Sequence, residues 1–257
     1  MTAFRTRLRN RESLIGPLLT LGSPEVAEVF ALLGYDWLWI DLEHTSLSLE
    51  RAQMLIQATA GRAGTVIRVP WNDPVHIKHA LDLGCDGVIV PQVKTVGEAV
   101  KAIAASKYPP AGVRSVGIAR AQQYGLTLQD CVLKANDRVS VILQIEHVDA
   151  LPNVSDILQV PGLDAILVGP YDLSASMGMP GQISHPDVSA AIDTIAAACK
   201  KHNVAWGAFA PNVESAKAHI ARGATLIALG TDTIHLWIAA RSALAELKQI
   251  TRRDAIS

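Results

Sequence analysis

Two carboxylates stand just past the ends of consecutive apolar runs: Glu146 after Val141-Ile142-Leu143-Gln144-Ile145, and Asp172 after Ile166-Leu167-Val168-Gly169-Pro170-Tyr171. Upstream, Asp41-Leu42-Glu43-His44 and Arg68 end two more apolar runs in the same way. Burying charge is costly, so four strands that each deliver a charged group at one end point to a built site. Glu146 and Asp172 would sit side by side. Their oxygens suit a hard cation such as Mg²⁺, Mn²⁺ or Co²⁺, with positions left for water and substrate. One of them alone would read as a helix cap; the pair favours a metal. A chelated 2-oxo acid would have its C3 proton acidified. His44 is the natural proton acceptor near neutral pH, and Asp41, three residues before it, is the orienting partner that spacing suggests. Arg68 offers a planar, permanent cation for a carboxylate or an enolate oxygen; its other reading is a structural partner of Asp41 or Glu43. The remaining seven histidines fall mostly on helical segments and read as surface or capping groups.

Such a set needs a scaffold whose strand ends converge. Apolar runs at 14–19, 37–41, 65–69, 87–91, 139–145, 165–168, 205–209 and 225–229 alternate with longer, 3.6-periodic segments. Ser23-Pro24, Asp73-Pro74 and His185-Pro186 each put proline at a first helical position, and Thr95-x-x-Glu98 reads as a capping box. Eight βα units predict a single (β/α)₈ TIM barrel, whose strand ends meet at one mouth. The expectation is one domain over 1–257, with 1–13 as a lead-in. There Phe4 and Leu8 make the apolar contacts and Arg5, Arg7, Arg9 and Arg11 are solvated. The long connection 107–137 reads as a lid or a subunit contact; it follows a helix, so it starts at the end opposite the mouth. A last helix at about 231–247, apolar at Leu236, Trp237 and Ile238, calls for a partner.

The chain's 257 residues are 49% hydrophobic and only 5% aromatic, so the core must be mostly aliphatic, as under a parallel sheet covered by helices. A net charge of −1 gives no electrostatic case for nucleic acid. No stretch of roughly 18 apolar residues suggests a membrane span, and no signal peptide is expected. Three distant cysteines without a C-x-x-C pair read as reduced thiols in a cytoplasmic protein.

Over about residues 14–247 the sequence resembles the metal-dependent (class II) pyruvate aldolases, the family that includes 4-hydroxy-2-oxoheptanedioate aldolase and 2-dehydro-3-deoxyglucarate aldolase. The resemblance is carried by Gly34-Tyr35-Asp36-Trp37 running into Asp41-Leu42-Glu43-His44, and by Arg68-Val69-Pro70-Trp71-Asn72-Asp73-Pro74. It continues through Tyr108-Pro109-Pro110-Ala111-Gly112-Val113-Arg114, Gln144-Ile145-Glu146 and Val168-Gly169-Pro170-Tyr171-Asp172-Leu173-Ser174. It departs at Tyr171, Ser115 and Pro17-Leu18.

The resemblance implies reversible cleavage of 4-hydroxy-2-oxo acids to pyruvate and an aldehyde through a metal-stabilised pyruvate enolate, with oxaloacetate decarboxylation as a side activity. It implies Glu146 and Asp172 as metal ligands, His44 as proton acceptor and Arg68 as stabiliser of the enolate. Asp82 would raise the basicity of His44 from a neighbouring subunit. Gln144, Gly169 and the N–H of Tyr171 would hold the substrate carboxylate, with Asp172 and Arg68 also in contact with substrate. A homo-oligomer follows, a hexamer whose last helix packs on or swaps with another subunit. Two rivals stand beside this reading. One is a Schiff-base aldolase using Lys94, the one lysine just past a strand end; the other is a non-catalytic small-molecule-binding barrel.

Overall fold

In the computed structural model, which describes residues 3–254, eight parallel strands close into a barrel in sequence order, β8 pairing back onto β1. The strands are β1 (Leu14–Leu19), β2 (Trp37–Asp41), β3 (Gly64–Arg68), β4 (Gly87–Val90), β5 (Ser140–Ile145), β6 (Ala165–Val168), β7 (Ala205–Ala210) and β8 (Leu226–Thr231). Around them lie α1 (Phe4–Arg9), α2 (Pro24–Leu32), α3 (Leu49–Thr59), α4 (Pro74–Asp82), α5 (Val96–Ser106), α6 (Leu128–Arg138) and the short α7 (Val154–Ile157). They are followed by α8 (Pro170–Ser176), α9 (Pro186–His202), α10 (Val213–Ala221) and α11 (Asp232–Asp254). Prolines open α2, α4 and α9 after capping side chains from Ser23, Asp73 and His185, and Thr95 and Glu98 form the capping box of α5.

Each strand is buried on both faces, so alternation decides which residues fill the barrel. Leu14, Leu18, Trp37, Trp39, Val66, Ile89, Ile142, Leu167, Leu226 and Ala228 form the interior cluster, plugged from below by Phe4 and Leu8 of α1. A larger aliphatic cluster lies between barrel and helices. The same alternation carries upward from Trp39 to Asp41, from Val66 to Arg68, and from Ile142 to Gln144 and Glu146. Polar groups therefore crown an apolar column.

The seam between β1 and β8 breaks step. Gly16 faces Ala228 but Leu18 faces Thr231, so β8 carries one extra residue. Pro17 lies between these two and, since Ile15 faces Asp36 and residues alternate, its missing N–H falls on the β2 side. On β8, Gly230 adopts φ +65°, and a Cβ on it would lie 2.9 Å from His235 Nε2. This bulge re-aims the strand end, so that Thr231 turns toward the mouth.

Several expectations need correction. The fourth strand stops at Val90, because Pro91 cannot donate to the ladder. The fifth begins one residue later and the eighth runs on to Thr231 past its bulge. The last helix extends to Asp254. Arg5 is not solvated: it is buried under the barrel, ion-paired to Asp164 at 2.9 Å, where α1 caps the foot. His219 is not a surface group either. It packs edge-on to Trp206, and burial pulls its pKa down to about 4. Within the chain the insert is anchored at the end of α4. Asn136 bonds both backbone groups of Tyr108, Lys107 reaches the carbonyl of Val139, and Arg114 and Arg120 tie the loop to Asp82 and Leu83 at the end of α4. No helix of the described residues is long and apolar enough to cross a membrane.

Candidate active site

The strand ends enclose a cavity of about 250 Å³, lined by residues that include Asp41, His44, Arg68, Gln144, Gly169 and Asp172. Arg68, at the end of β3, is its electrostatic centre. Its Nε and Nη2 donate to the two oxygens of Asp41 at 2.8 and 2.7 Å, and Nη1 lies 3.1 Å from Glu43 Oε2. The guanidinium also sits 4.8 Å over the Trp39 ring. A fork–fork pair of this kind fixes the plane of both groups. Asp41 thus orients Arg68, with its Oδ1 also accepting from the N–H of Glu43.

His44 stands on the rim, its side chain 63% exposed, with Nε2 3.6 Å from Glu43 Oε2. The acid beside the histidine is therefore Glu43, whose candidacy the sequence reading left undeveloped although Glu43 precedes His44 directly. Burial pushes the Glu43 carboxyl up to about 7; Arg68 pulls it down, and Asp41 and Asp172 push it up further. Asp82 lies elsewhere, at the foot of α4, where it accepts from Arg114 at 2.7 Å. Within one chain it does not join His44.

Glu146 extends from β5 and is 2% exposed. Oε1 accepts from the N–H of Gln92 at 2.9 Å, and Oε2 accepts from the Gln144 side-chain amide. Burial pushes its carboxyl up to about 7, and the negative charges of Asp172 and Glu43 act in the same direction, against the bonds from Gln144 and Gln92. Asp172 comes from the first turn of α8, which Gly169 and Pro170 start directly above β6.

The donor set fits a hard divalent cation. Two carboxylates come from adjacent units, and the charge of Asp172 pushes the Glu146 carboxyl up, a surplus that a cation would relieve. The buried Oε1 of Gln144 has no partner. A Cβ at Gly169 would fall 2.6 Å from Glu146 Oε2, so glycine keeps open the space beside that oxygen. Among the described residues no group of three or more His, Cys, Asp or Glu is placed to hold a metal ion. Two carboxylates with open positions are the pattern of a site that also takes substrate.

The opposite wall, which the sequence reading did not assign, comes from Leu18 of β1, Thr20 just past it, Phe209 of β7 and Thr231 of β8. Only alternation plus the bulge would have located it. Lys94 is not among the cavity's lining residues; its backbone N–H serves the capping Glu98.

The comparisons agree with this geometry. A family model described as HpcH/HpaI aldolase/citrate lyase matches residues 16–239. A 4-hydroxy-2-oxo-heptane-1,7-dioate aldolase of Shigella sonnei is 40% identical over 246 residues, 95% of this chain and 94% of that protein. Among solved structures, an HpcH/HpaI aldolase/citrate lyase family protein from Burkholderia cenocepacia superposes with a TM-score of 0.92 at 37% identity, covering 95% of this chain and 98% of its own. A citrate synthase superposes with a TM-score of 0.87 at 31% identity, covering 98% of this chain and all of its own.

Proposed function

The chain belongs to the HpcH/HpaI aldolase/citrate lyase family and is a carbon–carbon lyase of the aldolase type, and from that premise we propose that it cleaves 4-hydroxy-2-oxo acids reversibly to pyruvate and an aldehyde. The observation that carries this reading is the buried Glu146, its carboxyl pushed up by burial and by the charge of Asp172, beside a cavity that Asp172 and Arg68 line. Glu146 and Asp172 would hold Mg²⁺, Mn²⁺ or Co²⁺. Bound there, the metal would polarise the carboxylate and ketone of a chelated 2-oxo acid and so acidify its C3 proton.

The chain's own residues do the rest. The Gln144 side chain and the N–H of Tyr171, beside Gly169, orient the substrate carboxylate. His44 takes the C3 proton in the direction of synthesis and returns it to C3 on cleavage. Arg68, held in plane by Asp41, faces the oxygen on which charge develops, where a fixed cation in a dry site is most effective. C3 then attacks the aldehyde carbon; the C3–C4 bond forms and the aldehyde oxygen takes a proton. Cleavage runs the same steps backward. Oxaloacetate, which loses CO₂ to the same enolate, is the expected side substrate.

The whole chain serves as one aldolase unit in a homo-oligomer of the cytoplasm, a hexamer in our reading. Supporting that reading, α11 exposes Leu236, Trp237 and Ile238, and the groove beside α2 is apolar. In such an assembly Asp82 approaches the His44 of another copy.

The test is deuterium uptake by pyruvate in D₂O, read by mass spectrometry. With Mn²⁺ or Mg²⁺ the methyl protons should exchange, and EDTA should stop it. A protein that takes up the metal yet exchanges nothing is not a pyruvate aldolase.

A further inference from the structure

The wall across the barrel from Glu146 carries two hydroxyls whose bonding is already settled. Thr20 Oγ1 donates to Asp232 Oδ1 at 2.6 Å. Asp232, buried at 3% exposure, also accepts from the backbone N–H groups of Thr20, Leu21 and Thr233 at 2.8–2.9 Å. With four donors on its two oxygens, Asp232 serves as an acceptor throughout. The proton of Thr20 is therefore committed; Thr233 Oγ1 lies 3.4 Å from the same oxygen, and what that oxygen has left to offer the cavity is a lone pair. Thr231 Oγ1 in turn accepts from the N–H of Ile234 at 2.9 Å and pairs with Thr233 Oγ1 at 2.8 Å.

These bonds also consume what an anion would use. At the start of α11, the amides of Thr233 and Ile234 are taken by Asp232 and Thr231. In many barrels, that position after the eighth strand takes a phosphate. Among the described residues lining the cavity, Arg68 is the one permanent cation, and Asp41 and Glu43 already hold it. The remaining wall, Leu18 and Phe209, is apolar.

We infer that Thr20, Thr231, Leu18 and Phe209 form the aldehyde subsite and select a short, uncharged hydroxyaldehyde over an aldehyde that carries a carboxylate. The inference rests on the aldol reading above. A substrate hydroxyl donates into the lone pair of Thr20. A carboxylate has no hydrogen to give, and behind the threonine stands Asp232, a second acceptor. The hydroxyl takes no part in bond making: C3 of pyruvate joins the aldehyde carbon, and the hydroxyl is retained in a 4,5-dihydroxy-2-oxo acid.

The test measures kcat/KM for condensation of pyruvate with lactaldehyde, propionaldehyde and succinic semialdehyde by the Mn²⁺-loaded full-length protein. Lactaldehyde should exceed propionaldehyde, which lacks only the hydroxyl, by about tenfold or more, and should also exceed succinic semialdehyde. In Thr20→Val the lactaldehyde-to-propionaldehyde ratio should fall toward one, and Thr20→Ser should restore it. Thr231→Val supplies the same readout if loss of the donor to Asp232 prevents Thr20→Val from folding. A preference for succinic semialdehyde, equal use of lactaldehyde and propionaldehyde, or a ratio untouched by both valine variants would overturn the assignment. Absence of pyruvate proton exchange would remove the aldol reading itself, whereas exchange with the wrong aldehyde preference sinks only this subsite.

Discussion

Arg68 and Glu146 lie within electrostatic reach of one another but have separable roles in our proposal, and their bonding predicts how each fails when removed. Glu146→Gln keeps the shape and deletes the charge of a proposed ligand. Mn²⁺ affinity should drop in calorimetry, and excess Mn²⁺ should recover part of the exchange activity. Arg68→Ala should leave metal affinity nearly intact while exchange falls about a hundred- to a thousandfold, without rescue by metal. It should also melt earlier, because Asp41 and Glu43 are left buried without their cation. If Arg68→Ala instead binds metal poorly and still exchanges protons, Arg68 is a structural partner of the carboxylates and nothing more. At this scale the charged residues were legible because each interrupts an apolar run. Thr20 and Thr231 were not, since a threonine at a strand end looks like any β-branched residue until its hydroxyl partner is known. Glu43 lay in plain view beside His44, but nothing in its type says that burial would push it up to about 7.

Among elements, the informative variable is which alternate residues of a strand face inward. The runs at 37–41 and 140–145 are buried on both faces, so hydrophobicity alone carries no parity. Element order and approximate bounds could be read because proline, glycine and capping residues punctuate the chain. The bulge at Gly230 could not, because it depends on the pairing of β8 with a β1 that has Pro17 in its middle. The foot of the barrel was likewise misjudged where an arginine that looks solvated on its own helix finds Asp164 across 159 residues. The turn from β6 into α8 gives the prediction for this scale. Gly169→Ala places a methyl against Glu146 Oε2. It should weaken Mn²⁺ binding by about ten- to a hundredfold, the usual effect of disturbing the support of a metal ligand. Circular dichroism should remain that of the folded barrel; unchanged metal affinity would mean that Glu146 does not hold the ion.

For the whole molecule, α11 is the outlying element. It leaves the barrel after its first turns and exposes apolar side chains along its length, Leu236, Trp237, Ile238, Leu244 and Leu247 among them. Light scattering should return a mass of several chains, six in our reading, and Leu236→Asp with Ile238→Asp should lower it. A monomer in the unaltered protein would remove both the assembly and the reach of Asp82 toward a second His44. The seam of the barrel has a consequence in time. β1 is the first strand off the ribosome and its partner β8 the last, and Asp232 bonds to Thr20 across 212 positions. At roughly 5–20 residues per second, β1 waits on the order of ten to forty seconds for that neighbour. Meanwhile the nascent chain carries an unpaired strand edge, the kind that recruits other chains.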